Sequence, residues 1–459
     1  MQRRVWPRTT RRQRRFLRLL VLPIAFLSVL FSFILPYDHP IRLAVYFNLS
    51  SLSSFLFTTT DNRWISRPPL YPFNWSEDIG VILKSGFGTQ HRIAAWLDAV
   101  QTVGDVLIVA DFETKQGGHY SHPQTGQTLP VHDAVALTLG GGALPSSLLT
   151  HPRVEKYAKL WAAINGGDLD EARVMCKSFG WELDAMKFIS SLELAYRDMP
   201  PKKWYILVDD DTYIVQPSME LLLGHLDPDV PYYVGNAVGD YKARFAHGGS
   251  AILISHAAMQ RLFAHPRVVS NAHVGSLYDT WGDRLLAKTL MKVGVYLNED
   301  HSHLFNGERP LATKIRPDRI CAPLVSFHSL ASPDDMRATG DTFRNITDLV
   351  RWVDVWDIYG APPLDKLVVR QMRRGWDHVG SVDEHTKTIN DVMLAEECFE
   401  ACERRPKCLA WTWEKGAKVC HLSPWMTVGQ ADEGKVSGPN APRAKRLAMA
   451  CRFGRDGKF

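Results

Sequence analysis

The chain of 459 residues lacks internal repeats, CxxC cysteine pairs and an excess of positive charge beyond its first residues. Without CxxC pairs, its cysteines do not indicate a zinc site. The net charge is +5, but eight arginines fall within the first eighteen residues, so the remainder is slightly acidic. This excludes a nucleic-acid-binding body. With 45% hydrophobic and 22% charged residues, the chain is typical of a globular protein of two or three domains.

An uncharged stretch follows the arginines. Residues 19–35 read LLVLPIAFLSVLFSFIL, which is at the short end of what a membrane-spanning helix needs. The arginines before it and the scarcity of basic residues after it predict a cytosolic tail over residues 1–18 and a signal anchor over 19–35. A cleaved signal peptide is the alternative, but PYDHPIRLAVYF offers no clear cleavage site. We therefore expect a type II membrane protein.

In that topology the chain after residue 36 is lumenal. Three N-glycosylation sequons agree with this, at Asn48, Asn74 and Asn345. Residues 36–75 are rich in Ser, Thr, Asn and Pro and show no strong periodicity. They predict a stem that holds the folded part off the membrane.

Cysteines are clustered near the end of the chain. Four of the seven fall within twenty-three residues: Cys398, Cys402, Cys408 and Cys420. In a lumenal chain such a cluster favours disulfides over metal. Cys398 and Cys402 are four residues apart on a predicted helix and share one face of it. CLAWTW and VCHLSP then predict two strands, which makes this a small disulfide-rich α+β module.

Residues 375–455 resemble a PAN/Apple domain. The resemblance rests on GWDHVGSV, on the helix with two cysteines, and on CLAWTW and CHL. It implies that Cys398 pairs with Cys420 and Cys402 with Cys408. It also implies a module that binds protein or carbohydrate and has no chemistry of its own.

Three cysteines remain after these two pairs: Cys176, Cys321 and Cys451. Three thiols cannot all pair within one chain, so their pairing stays open. A Cys176–Cys321 disulfide is our guess.

Strands and helices alternate through residues 76–360. VILKSG, DVLIVAD and KKWYILV predict strands, whereas RIAAWLDAV (from about Gln90), EKYAKLWAAIN, WELDAMKFISSLELAYRDM and PSMELLLGHL predict helices. This alternation predicts an α/β sheet with parallel strands, whose ligands lie at the carboxyl ends of the strands.

Three carboxylates follow the strand KKWYILV, at Asp209, Asp210 and Asp211. Like charges repel, and Asp is a poor strand former, so a solvated strand end or a helix cap is one explanation. The other is a cation: Mg²⁺ or Mn²⁺ prefers such oxygens, and a metal open to solvent also binds a diphosphate. The hydrophobic strand before the acids and Tyr213 after them favour a site.

Seven motifs in order resemble the fringe-like β-1,3-glycosyltransferases of family GT31, including fungal members that carry a PAN-like tail. They are VILKSG, DVLIVAD, WELDAMKF, VDDD, FAHGGSAILIS, YDTWGDRLLAKTL and PLVSFHSL, and the resemblance covers residues 78–330. The resemblance implies a GT-A fold, in which a nucleotide-binding α/β sheet faces an acceptor-binding half. It further implies a UDP-sugar donor, Mn²⁺ (or Mg²⁺), and inverting transfer to an acceptor glycan hydroxyl with a β-1,3 linkage.

The resemblance also assigns metal ligands. Asp209 and Asp211 would be the outer members of a DxD motif, with Asp211 touching the metal and with Asp209 and Asp210 contacting the ribose and the cation's water shell. His328 in SFHSL matches a family histidine that closes the metal site, and neutral imidazole suits that role. A structural histidine on a strand is the alternative.

Nucleotide contacts are expected around the first turn. Lys84 and Arg92 flank it, and a cation there would complement a diphosphate; ordinary surface charge is the alternative, and Lys84 is the better candidate. Asp111 follows the second strand and could face uridine or ribose. Gly248 and Gly249 stand where the sugar must approach the backbone closely, although a plain turn also explains two glycines.

Inverting transfer needs a general base that deprotonates the acceptor hydroxyl. The family's base lies just before a helix, a place that YDTWGDRLLAKTL occupies. Asp283 matches best and Asp279 is the alternative, while an N-cap would explain Asp283 without catalysis. Trp181 and Lys187 also match family positions, but packing and ion pairing explain them, so they stay outside the catalytic set.

Two other classes of protein compete with this interpretation. A non-catalytic lumenal scaffold would bind carbohydrate or protein through the PAN-like module, and erosion of the acidic and glycine motifs would be expected in it. A metal-dependent hydrolase would need more His or acid ligands at close spacing. Lumenal topology with a UDP-sugar site predicts the Golgi membrane; the ER is the alternative. The expected partners are a UDP-sugar, an acceptor glycan and the membrane, and no nucleic acid.

Overall fold

A computed structural model describes residues 29, 31, 34–56, 62–100, 104–114, 120–140, 144–240, 244–363 and 372–453. The predicted cytosolic tail and most of the predicted membrane span lie outside these residues. Within them, no helix combines the length and apolar character that crossing a membrane requires.

The larger part of the fold is built on a seven-stranded sheet. The strands up to residue 330 are β1 Ile79–Lys84, β2 Asp105–Ala110, β3 Tyr120–Ser121, β4 Thr128–Leu129, β5 Val131–Asp133, β6 Trp204–Asp209, β7 Tyr213–Ile214, β8 Tyr233–Gly235, β9 Ala237–Val238, β10 Phe245–Ala246, β11 Ile252–Ser255, β12 Leu297–Asn298 and β13 Ser326–Phe327. The sheet has the order β12-β8-β11-β6-β1-β2-β5. The pairs β1–β2, β1–β6, β2–β5 and β8–β12 are parallel, and β11 is antiparallel to both its neighbours.

Helices cover both faces of this sheet. They are α1 Pro40–Leu56, α2 Trp75–Asp78, α3 His91–Ala99, α4 Ala134–Gly140, α5 Pro152–Gly166, α6 Leu169–Asp184, α7 Lys187–Asp198, α8 Gln216–Leu223, α9 His256–Phe263, α10 Pro266–Gly275, α11 Gly282–Lys292, α12 Pro333–Phe343 and α13 Asp354–Ile358. Alternate residues of β1 enter different cores, with Val81 and Leu83 in one and Ile82 in the other. Burial on both faces is the reason these strands are continuously apolar.

The predicted α/β architecture with a mostly parallel sheet is confirmed, and the sheet brings together chain segments far apart in sequence. In the register of β1 and β6, Lys84 lies opposite Asp209. Asp111 directly follows β2, the other neighbour of β1. The carboxyl ends of three adjacent strands therefore meet at one edge, as expected of parallel strands.

Two segments differ from the sequence prediction. The segment predicted as one helix through WELDAMKF is two, because α6 ends at Asp184 and α7 begins at Lys187. Within the predicted stem, residues 36–75, α1 is a helix whose Leu43 and Phe47 are buried in the core on one face of the sheet. Part of that segment thus packs on the folded body.

The C-terminal part is a five-stranded antiparallel sheet with one helix against it. Its strands are β14 Arg373–Asp377, β15 Lys387–Ile389, β16 Ala410–Glu414, β17 Val419–Ser423 and β18 Gln430–Pro439, in the order β14-β18-β16-β17-β15. The helix is α14 Ala395–Glu403, and α15 Ala441–Phe453 ends the described chain. The two strands predicted from CLAWTW and VCHLSP correspond to β16 and β17.

Three disulfides are present among the described residues. Cys398–Cys420 and Cys402–Cys408 confirm the pairing that the PAN resemblance implied. The guessed Cys176–Cys321 pair is wrong, because Cys321 is bonded to Cys451 and Cys176 is free. Cys451 lies on the terminal helix α15, and its disulfide joins this helix to Cys321 in the larger part of the fold, 130 residues earlier in the sequence. Cys176 lies on α6.

Candidate active site

The three consecutive acids at the carboxyl end of β6, Asp209, Asp210 and Asp211, have different surroundings. Asp210 is buried and accepts a hydrogen bond from Ser85 Oγ at 2.6 Å. Its carboxylate also lies 3.2 Å from Arg92 Nη1. Asp209 and Asp211 are only partly buried. The triplet therefore divides into one internal carboxylate and two that remain accessible.

A lysine compensates the charge of Asp209. Lys84 Nζ lies 2.7 Å from Asp209 Oδ1 and 2.7 Å from Asp184 Oδ1. Burial lowers the pKa of a lysine, but here the charges of Asp184 and Asp209 outweigh it and hold the pKa of Lys84 well above its usual value. Lys84 is thus a fixed cation at the end of β1.

His328 is brought to the acids by a two-stranded pairing. Strands β7 and β13 are antiparallel with Phe327 opposite Tyr213, so the residue after Phe327 lies beside the acidic triplet. His328 Nε2 is 3.2 Å from Asp211 Oδ1. Burial opposes protonation of the ring, but the hydrogen bond with Asp211 outweighs it and raises the pKa of His328.

Asp209, Asp211 and His328 could together hold a metal ion. Each offers one ligand atom, and these atoms lie within 4.8 Å of one another. The two carboxylates are ligands of the type that Mn²⁺ and Mg²⁺ prefer, and the imidazole adds a nitrogen donor. The residues present therefore fit a divalent metal of the kind that the sequence resemblance implied, and the structure brings together the three residues predicted as its ligands.

The two glycines of HGG lie against this group. A Cβ on Gly249 would be 2.1 Å from His328 Nε2, and a Cβ on Gly248 would be 3.2 Å from Phe188 and 3.5 Å from Asp283 Oδ2. A side chain at Gly249 would displace the histidine. The absence of side chains here keeps the backbone close to both His328 and Asp283.

Asp283 and Asp279, the two candidate bases, are separated by the fold. Asp283 lies in the first turn of α11 beside the glycines and accepts a hydrogen bond from Gly248 N at 2.9 Å. Burial raises its pKa. Asp279 is instead bound to Arg284 and Lys288, with Nε of Arg284 at 2.9 Å and Nζ of Lys288 at 2.8 Å. Trp281 occupies the N-cap position of α11, and Asp283 Oδ1 also accepts a hydrogen bond from Arg284 N at 2.7 Å within the first turn.

Asp111 is turned into the protein. It accepts a hydrogen bond from Phe87 N at 2.7 Å and lies 3.4 Å from Lys187 Nζ. Lys187 also donates to Ser85 O at 2.7 Å. These bonds order the turn after β1, so Asp111 supports the turn as well as lining the cavity described next.

One cavity of about 620 Å³ collects these side chains. Every predicted site residue except Asp279 lines it, namely Lys84, Arg92, Asp111, Asp209, Asp210, Asp211, Gly248, Gly249, Asp283 and His328. Asp279 lies in a different cavity, between α10 and α11. The site therefore combines a candidate metal group, fixed cations and a carboxylate with a raised pKa.

Sequence reasoning missed several residues of this cavity. Asp184 lies at the end of α6 and pairs with Lys84, which is 100 residues earlier in the sequence. Asp184 belongs to the motif WELDAMKF, from which no residue was assigned to the site. Ser85 bonds Asp210, and the His247 ring lies 5.3 Å from that of His328. Ser85 and His247 are themselves members of VILKSG and HGG, and only that position could have indicated them.

Comparisons with known proteins agree with both resemblances. Residues 171–357 match the Fringe-like family model, and residues 377–437 match that of the PAN domain. A human protein named chondroitin sulfate glucuronyltransferase is 32% identical over 92 residues, which is 19% of this chain and 12% of the length of that relative. The chain therefore carries a Fringe-like domain and a C-terminal PAN domain, and these findings support a glycosyltransferase.

Proposed function

We propose that this chain with Fringe-like and PAN domains is an inverting glycosyltransferase of GT-A type. It transfers a sugar from a UDP-sugar to a hydroxyl of an acceptor glycan, forming a β-1,3 linkage. One observation carries the proposal: Asp209, Asp211 and His328 lie in the same cavity as Asp283, whose pKa is raised by burial. A diphosphate-binding group and a proton acceptor are the two components that this reaction needs.

Asp209, Asp211 and His328 would hold Mn²⁺ or Mg²⁺. A bound divalent ion supplies Lewis-acid stabilisation of the departing diphosphate. Lys84 and Arg92 provide positive charge in the same cavity, although both are paired with acids of the site. They compensate the acidic triplet, which would otherwise repel the anionic donor.

Asp283 acts as the general base in this proposal. Its carboxylate takes the proton of the acceptor hydroxyl while that oxygen bonds to the anomeric carbon of the donor. The bond between the anomeric carbon and the diphosphate oxygen breaks, and UDP leaves. The hydrogen bond from Gly248 N orients the carboxylate, and burial raises its pKa, which makes it a better proton acceptor than an exposed aspartate.

The location of the protein is part of the proposal. The arginine-rich residues 1–18 and the uncharged residues 19–35 support a type II anchor with the cavity on the lumenal side. A lumenal UDP-sugar site then favours the Golgi membrane. The three disulfides suit an oxidising lumen. The PAN domain would bind protein or carbohydrate ligands there.

Nucleotide binding tests the proposal directly. The full-length protein, purified in detergent micelles, is titrated with UDP by calorimetry with Mn²⁺ and with chelator. We expect binding that requires Mn²⁺ and is lost in Asp211→Ala. The matched control is Asp98→Ala, because Asp98 is an exposed aspartate on α3 outside the cavity, paired with Arg337. Wild-type protein that binds no UDP under either condition would favour the alternative of a non-catalytic scaffold.

A further inference from the structure

Two large aromatic side chains remain exposed at the cavity. Trp181 is 57% exposed and Trp281 is 54% exposed, and both line the cavity that holds Asp283 and the candidate metal group. Exposed aromatic surface at the edge of a polar cavity is typical of a ligand-binding site. The donor contacts assigned above use neither ring.

Exposure alone does not make a tryptophan part of a site. Trp161 on α5 is 51% exposed, yet it does not line this cavity. Trp181 and Trp281 differ from Trp161 in position and not in exposure. The comparison also supplies a matched control for an experiment.

The ring of Trp281 is held on two sides. The Phe245 ring lies 6.2 Å from it at an interplanar angle of 34°, and the guanidinium of Arg284 lies 5.0 Å from its centre. Arg284 is fixed in turn by Asp279, with Nε to Oδ1 at 2.9 Å. A ring that is held but exposed loses little conformational freedom when a ligand covers it.

Trp281 and the candidate base are parts of one short turn. Trp281 precedes Gly282 and Asp283 at the start of α11. A Cβ on Gly282 would lie 2.2 Å from the Phe188 ring, so close packing keeps this turn in place. A ligand lying on Trp281 is thereby set beside the carboxylate of Asp283.

We propose that Trp281, with Trp181 as a second wall, is the stacking platform for the acceptor sugar. This rests on the proposed function, because it assigns the acceptor side of that same site. The acceptor is an uncharged hexopyranoside, whose C–H groups cover the apolar ring while a hydroxyl faces Asp283. An acidic sugar is not favoured, because Arg284, the cation over the ring, is already paired with Asp279.

Saturation-transfer NMR tests the platform. The probes are methyl β-D-galactopyranoside, methyl β-D-glucopyranoside and methyl N-acetyl-β-D-glucosaminide, each added to full-length protein with Mn²⁺ and UDP. We expect affinity for the bound glycoside to fall about two- to tenfold in Trp281→Ala, which is the range that an aromatic contact is worth. Trp281→Phe should recover part of it, and Trp161→Ala should match the wild type.

UDP calorimetry on the same proteins separates the two proposals. Unchanged UDP binding in Trp281→Ala, with weaker glycoside binding, supports the platform and shows that the variant is folded. Unchanged glycoside binding in Trp281→Ala overturns the platform and leaves the proposed function standing. Wild-type protein that binds UDP but none of the glycosides also overturns it, whereas failure to bind UDP overturns the proposed function itself.

Discussion

Five of the aspartates predicted as site residues differ because their surroundings differ. Burial raises the pKa of Asp210 and Asp283. At Asp211 the hydrogen bond with His328 outweighs burial and lowers the pKa. At Asp279 the hydrogen bonds from Lys288 and Arg284 outweigh burial and lower the pKa. Asp209 pairs with Lys84. Of these, Asp283 has a raised pKa and forms no ion pair with any cation among the described residues, which is the combination that a general base needs.

Replacement of Asp283 tests its role as base. In Asp283→Asn the side chain cannot accept a proton, so we expect the transfer rate to fall by about 10²–10⁴ with unchanged affinity for UDP and Mn²⁺. Steady-state kinetics and UDP calorimetry measure the two effects, with Asp98→Asn as control. A variant that keeps the wild-type rate would show that Asp283 is not the base.

The wild-type pH profile provides a second check on Asp283. Because burial raises its pKa, Asp283 becomes protonated at a higher pH than an ordinary aspartate, for which the pKa is about 3.9. The transfer rate should therefore be full above the raised pKa and decline as the pH falls through it. A rate that stays constant down to about pH 4 would contradict this assignment.

At the level of elements, α1 connects the N-terminal segment to the sheet. Leu43 and Phe47 are buried against the core that contains Leu297. The Tyr46 ring stacks on Tyr296 with centroids 4.5 Å apart, and Tyr296 Oη donates to Tyr37 O at 2.8 Å. These contacts make residues 37–47 part of the folded body.

A truncation of Leu43 tests whether α1 stabilises that body. Leu43→Ala removes buried methyl groups, so we expect the free energy of unfolding to fall by about 2–3 kcal/mol. Ile41→Ala is the control on the same helix, because Ile41 is exposed and its loss should change stability little. Thermal or denaturant unfolding gives the values. Equal effects of the two substitutions would mean that α1 does not pack as described.

At the scale of the whole molecule, the PAN domain shares a core with the larger part. Val379, Met426 and Val428 belong to the same buried cluster as Trp356. Met426 exchanges backbone hydrogen bonds with Ile315, at 2.9 and 3.1 Å. A shared core predicts that both parts unfold together.

The Cys321–Cys451 disulfide ties these two parts and can be tested with Cys176 as its control. Cys451→Ser opens a loop of 130 residues, so we expect the free energy of unfolding to fall by about 2–4 kcal/mol. Cys176→Ser removes a free thiol, so we expect it to lower the free energy of unfolding much less than Cys451→Ser does. Differential scanning calorimetry should show one transition in the wild type. Two separate transitions, or a larger loss from Cys176→Ser, would contradict this arrangement.

Much of the site could be predicted from sequence because its signals are local. An apolar run that ends in Asp209, Asp210 and Asp211 marks the carboxyl end of a buried strand, whatever packs around it. The paired glycines of HGG and the cysteine spacing of the PAN domain are likewise short-range patterns. Each depends on backbone geometry within a few residues, which the sequence alone determines.

Other features were decided by the tertiary structure alone. Asp279 and Asp283 are equivalent by residue type and nearly so by position, and only packing shows that one faces Arg284 and the other Gly248. Asp184 reaches Lys84, and Cys451 reaches Cys321, across 100 and 130 positions. Contacts at such separations depend on how all the intervening elements pack together, so no local pattern in the sequence records them.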